Sequence, residues 1–299
     1  MRTVVNVLRD HLAALRILLA FTVVFGVAYP LVITAVAQVP GLKHSADDST
    51  ITRQDKVVGS KLIGQNFTDA KGDPLKQYFQ SRPSAAGATG YDPTASSASN
   101  LGPESIVDTL PDPSKKGDTG KQSLLTQVCA RSLAIGQLDG VNGARPFCTS
   151  TGVGAVLAVF WSGPGYQGKI TKVISLDQSA PAKPFLSSYK GVAVQVAKFG
   201  QDYAKGQVVP IRGNAPASPA VPADAVTASG SGLDPEISPG YARIQEGRVA
   251  AARRITVAQV RAVVAKYSAG RDLGFLGEAK VNVLQLNLAL DAAYPYQSK

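Results

Sequence analysis

Ile17–Val39 is a run of 23 residues without a charged side chain, entered from Arg16 and left through Pro40-Gly41. At a rise of about 1.5 Å per residue it makes a helix about 35 Å long, enough to cross a hydrocarbon core of about 30 Å. Such a span divides the chain into a leader, residues 1–16, and a body of 260 residues. The leader carries Arg2, Arg9 and Arg16 against Asp10, whereas the stretch just beyond the span carries Lys43 and Arg53 against Asp47, Asp48 and Asp55. Positive charge stays on the cytoplasmic side of a membrane. The chain is therefore expected in the cell membrane as a single-pass protein, its N-terminus cytoplasmic and its body extracytoplasmic. A cleaved signal peptide is the competing reading, with Ala35-Val36-Ala37 as the small-residue site; the length of the apolar run, against ~7–15 residues for a signal sequence, favours an anchor. Tyr29 and Pro30 fall inside the span. Proline removes a backbone hydrogen bond there and bends the helix, which a neighbouring membrane helix compensates, so the pair is a candidate packing site.

With 44% hydrophobic residues the chain can bury one or two cores, and 29 Gly and 19 Pro imply many turns. The net charge of +10 is scattered, except around Arg243–Arg254, and has no aromatic interleaving. That pattern argues for a solvated basic surface and against nucleic acid. Cys129 and Cys148 are a possible disulfide; in an oxidising compartment it would close a loop of about twenty residues and contribute ~3 kcal/mol. With only His11 and His44, a Cys₂His₂ zinc site is excluded and no metal site is expected, while a Ser-His-Asp triad would have to use His44.

Along the body, Val57-Val58 and Leu62-Ile63 flank Gly59-Ser60, which suits a tight turn. From Gly64 to Pro103 the chain is rich in Gly, Ser, Asn and Pro with isolated aromatics, a long loop of the kind that either covers a surface or binds a partner. Lys121–Leu138 has apolar residues at helical spacing with Gly140 as a stop. Val153–Trp161, the alternation at Ile170, Ile174 and Leu176, and Val192, Val194 and Val196 predict three strands. Between the first two, Gly163, Gly165, Gly168 and Lys169 approach both G-x-G-x-x-G and a phosphate-binding loop. However, Ile170 stands where Mg²⁺ needs a hydroxyl, and the following residues alternate like a strand, so a glycine-rich hairpin is the stronger reading. A charged helix is expected around Arg243–Arg254. Thr256 with Gln259 forms a capping box for a second helix that Gly270 ends, and Val281–Leu290 is read as a helix although its leucines also alternate.

The apolar span with Tyr29-Pro30 is followed in order by GSKLIGQNF (59–67), YFQSRPSA (78–85), YDPTASSASNLGP (91–103), VPADAVTASGSGLDPEISP (221–239) and VNVLQLNLALD (281–291). This series resembles the KdpC subunit family of the high-affinity potassium-transporting P-type ATPase. It implies an α+β protein: one N-terminal transmembrane helix, residues 17–39, and an extracytoplasmic mixed α/β domain, residues 40–142 and 207–299, interrupted by a β-rich insert at about 143–206. The family runs more directly from one side of that insert to the other, so nothing within it inherits a family role.

The resemblance implies a non-catalytic subunit of a four-part membrane complex. Its partners would be a channel-like subunit that translocates potassium, a P-type ATPase catalytic subunit and a small stabilising peptide. Family members are needed for assembly and are credited with raising the ATP affinity of the catalytic subunit. ATP therefore enters as a family attribution alone, since the expected topology puts the body away from cytoplasmic nucleotide. The residues agree: there is no DKTGT phosphorylation motif, no complete phosphate-binding loop, no ring of carboxylates in the span and no sign of a directly bound cofactor. Candidate partner contacts are Tyr29 and Pro30 in the span, then Gly64, Gln65, Asn66, Phe67, Arg82, Pro83, Ser84, Asn100, Leu101 and Gly102, and Ser229, Gly230, Ser231, Gly232, Leu233 and Asp234. Two other classes remain: a nucleotide-binding module using the 163–169 loop, and a secreted or anchored binding protein unrelated to ATP hydrolysis.

Overall fold

The computed structural model describes residues 2–43, 49–98, 100–178 and 182–297, the side chains from residue 4 onward. His44, Asp47 and Asp48 lie outside the described residues. The chain divides after Leu62 into two compact units.

The first unit begins with α1 (Arg2–Val23), which passes through a π-helical turn at Val24–Ala28 into α2 (Tyr29–Ala37). The leader is thus part of the same helical rod as the span, and Val4–Ala37 is long and apolar enough to cross a membrane. The π turn has a local cause. Pro30 has no N–H to offer the carbonyl four residues back, and its ring crowds that carbonyl. The turn ahead of it opens by one residue, and the Tyr29 N–H bonds to the Val24 carbonyl instead. The hydroxyls of Thr22 and Thr34 donate to Leu18 O and Pro30 O at 2.8 Å, so both are satisfied within the rod. After the rod comes a hairpin of β1 (Thr50–Arg53) and β2 (Lys56–Ser60), turning at Gln54-Asp55, both at positive φ. Gly59-Ser60 is therefore not the turn. It lies within β2, because Gln54-Asp55 closes the tight loop whose twist matches the strands.

The second unit is mixed. A five-stranded sheet in the order β5-β6-β4-β3-β7 joins β3 (Val156–Gly163), β4 (Gln167–Ser175), β5 (Ser188–Tyr189), β6 (Val192–Val196) and β7 (Gln207–Pro210). Its pairs are antiparallel except β4 with β6. Side chains alternate between faces, and both faces are covered: Val156, Ala158, Ile174 and Leu176 pack on one side, Leu157, Val159 and Val173 on the other. Coverage of both faces is why Val153–Trp161 reads as an unbroken apolar run instead of an alternating one.

The helices carry their own start and stop signals. In α3 (Leu124–Asp139) the Ser123 hydroxyl accepts from the Thr126 N–H, and Gly140 closes the end at φ 69°. A short α4 (Ala223–Val226) leads to β8 (Glu236–Ile237) and to α5 (Pro239–Arg253), capped by Ser238. In α6 (Val257–Lys266) the capping box of Thr256 and Gln259 is complete. Ser268–Ala269 (β9) follows immediately, so the helix stops short of Gly270 and the chain there pairs with β10 (Lys280–Asn282). The leucine-rich segment is helical from α7 (Val283–Ala293), capped by Asn282; Val281 belongs to β10, between β8 and β9. Val249, Val260, Leu286 and Leu290 are fully buried across these helices.

The stretch Arg243–Arg254 is not a solvated basic face throughout. The Arg248 and Arg253 side chains are 5% and 0% exposed and pair with Asp139 at 2.7 Å and Asp291 at 2.8 Å. Other N–H groups of these arginines donate to the carbonyls of Lys76, Tyr78, Gln77 and Tyr294 and to the Gln245 amide oxygen.

Candidate functional site

Loops 63–103 and 221–239 have little regular structure, so their backbone groups must find partners elsewhere. At 76–80 the partners come from the helices. Asn287 of α7 accepts from the Phe79 N–H at 2.9 Å and donates to the Phe79 carbonyl at 3.0 Å; Gln245 of α5 does the same for Gln80, at 2.7 and 3.2 Å. Two buried amide side chains thus pair with an extended segment as a neighbouring strand would, while the Phe79 ring is wholly enclosed.

The two loops then close on each other. Gly64 N–H donates to Leu233 O at 2.8 Å, Ser84 Oγ to Gly232 O at 2.6 Å, and Ser96 Oγ to Ser231 O at 3.0 Å. Arg82 reaches Asp234 at 3.0 Å and the Thr227 carbonyl at 3.3 Å. Within the first loop, Ser81 donates to Gln65 O, Asn66 to Thr89 O and the Tyr91 hydroxyl to Arg82 O. Tyr91 is buried, which pushes its phenol up to about 12. Two glycines permit the close approach. A Cβ on Gly64 would overlap the Tyr91 ring and the Asp234 carbonyl oxygen, and one on Gly232, at φ 70°, would press on Ala86. Leu233 and Asp234 follow a tight turn in which Ser229 accepts from the Gly232 N–H and Ser231 from the Leu233 N–H.

The structure therefore brings together Gly64, Arg82, Ser84, Gly232, Leu233 and Asp234, with Phe67 buried behind them against Tyr78. Asn66, Asn100 and Gly230 remain exposed, Gln65, Pro83, Leu101 and Gly102 half-buried. Tyr29 and Pro30 belong to the other unit. Ser81, Ser84 and Ser96 donate to carbonyls, while the Ser231 hydroxyl donates to the Asp234 carboxylate at 3.2 Å, whose other oxygen is held by Arg82 at 3.0 Å.

A disulfide joins Cys129 and Cys148, whose Cα atoms are 5.4 Å apart. Gly163, Gly165 and Gly168 turn the β3–β4 hairpin, and the Lys169 N–H donates to Ser162 Oγ. The next element is a strand, so there is no helix N-terminus to face a phosphate, and the phosphate-loop alternative loses its geometry. Among the described residues no three His, Cys, Asp or Glu side chains gather as metal ligands.

Sequence reasoning missed a buried polar centre under the five-stranded sheet. Asp177 Oδ1 accepts from the Asp108 N–H at 2.8 Å, Asp108 accepts from Thr126, and Thr126 accepts from the Gly154 N–H. Asp177 Oδ2 is buried and has no partner among the described residues. Burial, with the Asp108 carboxylate adding to it, pushes Asp177 up to about 8.

A family model described as "K+-transporting ATPase, c chain" matches residues 11–109 and 187–292, passing over 110–186. The potassium-transporting ATPase KdpC subunit of Kineococcus radiotolerans is 36% identical over 290 residues, 97% of each chain. The subunit of the same name from Beijerinckia indica is 35% identical, covering 94% of this chain and 92% of its own. That from Mycobacterium tuberculosis is 35% identical, covering 95% and 98%. The stretch that the family model passes over therefore falls within alignments that take in nearly all of both chains.

Proposed function

The chain belongs to the KdpC family, that of the K+-transporting ATPase c chain, and from that premise we propose that it is the non-catalytic accessory subunit of an ATP-driven potassium uptake complex. Its span anchors it in the cell membrane with the N-terminus in the cytoplasm, and its body lies outside, over the mouth of the channel-like subunit. The loops at 64–103 and 221–239 make the contact. The observation that carries this reading is the mutual closure of those loops on a rigid support: Gln245, Asn287, Arg248 and Arg253 hold the backbone from within, leaving polar edges such as Asn66, Asn100 and Gly230 outward. The bare apolar rod supports an anchored subunit with a helix to meet, and the bias of Arg2, Arg9 and Arg16 supports the orientation. The catalytic ATPase subunit and the small peptide complete the assembly. The influence on ATP affinity acts through assembly instead of contact with nucleotide.

Replacing Gln65 and Asn66 together by alanine removes side-chain groups, including the Asn66 bond to the Thr89 carbonyl, and leaves Gln245, Asn287, Arg248 and Arg253 in place. The doubly substituted chain is expected to be lost from the affinity-purified complex, with potassium-stimulated ATPase activity falling in step. Wild-type retention with full activity would overturn the interface. A mature chain beginning at Gln38, found by mass spectrometry, would overturn the anchor.

A further inference from the structure

Among the buried or half-buried arginines of the second unit, Arg82, Arg248 and Arg253 each hold a carboxylate. Arg145 does not, its guanidinium donating to the Val221 carbonyl at 2.6 Å, and neither does Arg131 of α3. The Arg131 guanidinium donates to the Val226 carbonyl at 2.9 Å and to the Gln127 amide oxygen at 3.2 Å, both neutral acceptors. Burial weakens its hold on the proton, and no carboxylate offsets that cost. Arg131 lines a cleft of about 550 Å³ between α3 and the loop cluster, whose other walls include Ser84, Asn100, Leu101 and Gly230. No Asp or Glu lines it, and Arg131 is its one charged group among the described residues.

We propose that this cleft receives a carboxylate side chain from a partner subunit, with Arg131 as its counter-ion. The inference rests on the accessory-subunit reading and names a recognition element within that interface. A guanidinium presents a planar fork that a carboxylate meets with two parallel hydrogen bonds, and Arg131 is already held in place by Gln127 and Val226, so little side-chain freedom is lost on docking. The rim is formed by the same loops proposed to meet the channel-like subunit, so the cleft is continuous with that surface. One planar guanidinium matches the two oxygens of a carboxylate, whereas a phosphate draws several donors.

The test uses the full complex, purified in detergent, and the rate at which this subunit leaves it. Arg131→Ala is expected to raise that rate at least tenfold and Arg131→Lys by less, since the ammonium keeps the charge but cannot make the fork. Wild-type dissociation should accelerate with NaCl more than that of Arg131→Ala. Because Arg131 also braces Val226, a second variant leaves the scaffold alone: Asn100→Asp puts a carboxylate on the exposed rim and is expected to repel the incoming one, raising the rate several-fold with an unchanged melting temperature of the full chain. Wild-type rates in both Arg131→Ala and Asn100→Asp would overturn the carboxylate but leave the accessory role standing. Failure of the wild-type chain to co-purify with any partner would instead remove that role. An Arg131→Ala effect in nanodiscs of phosphatidylglycerol but not of phosphatidylcholine would assign the anion to lipid and overturn the proposal.

Discussion

At the scale of single residues, Asp177 is a carboxyl whose burial changes its ionisation strongly. In the unfolded chain its carboxyl ionises near pH 4, and in the folded chain near 8. Between those values the folded protein holds a proton that the unfolded chain has released. The stability this contributes is fully present below about pH 4 and is lost as the pH rises towards 8, by at most about 1.4 kcal/mol per pH unit. Asp177→Asn keeps an acceptor for the Asp108 N–H and removes the ionisation. Its melting temperature, followed by near-UV circular dichroism, should therefore fall less than that of wild type between pH 5 and 8, and parallel curves would assign the pH dependence to another group. Nothing in the sequence marks Asp177, because the burial that raises it, and the Asp108 carboxylate 69 residues away that adds to it, arrive only with the fold.

At the scale of elements, the feature with most leverage is the π turn ahead of Pro30. It inserts one residue into the helical register, so the faces on its two sides are offset by about 100° from a regular helix. Pro30→Ala restores the missing N–H and allows the turn to close, rotating α2 against α1. If Tyr29 and Pro30 pack on a partner helix, this substitution should lower recovery of the subunit in the complex while leaving the melting temperature of the body unchanged; full recovery would show that the turn serves the rod alone. Helices of this chain were legible where a start or stop signal and a period coincide, as at Gly140 after the apolar period of α3 and at Thr256 with Gln259, whereas the Ser123 cap shows only in the fold. The hairpin at Gln54-Asp55 was not, because glycine at 59 outweighed a subtler positive-φ pair. Val281 paired as a strand because β8 and β9 flank it, a long-range fact that overrides its helical neighbours.

At the scale of the whole molecule, sequence resemblance singled out the loop residues but not what they do for one another. Ser84 meets Gly232 across 148 positions and Arg82 meets Asp234 across 152; periodicity is silent at such distances. The arginines near 248 read as surface charge because their partners, Asp139 and Asp291, come from elsewhere in the chain. Gln245 and Asn287 read as ordinary polar helix positions, yet each grips one loop residue by both its N–H and its C=O. This grip has a consequence in time. The amides of Phe79 and Gln80 can meet solvent deuterium only when α5 and α7 release them, so their exchange is tied to the slow opening of the helical core. In the full-length chain they should exchange as slowly as the amide of Leu286 and far more slowly than that of Lys71 in the exposed turn upstream. Fast uptake at 79 and 80 would mean that the strap opens by itself. A segment that looks like loop would then, by its clock, belong to the core.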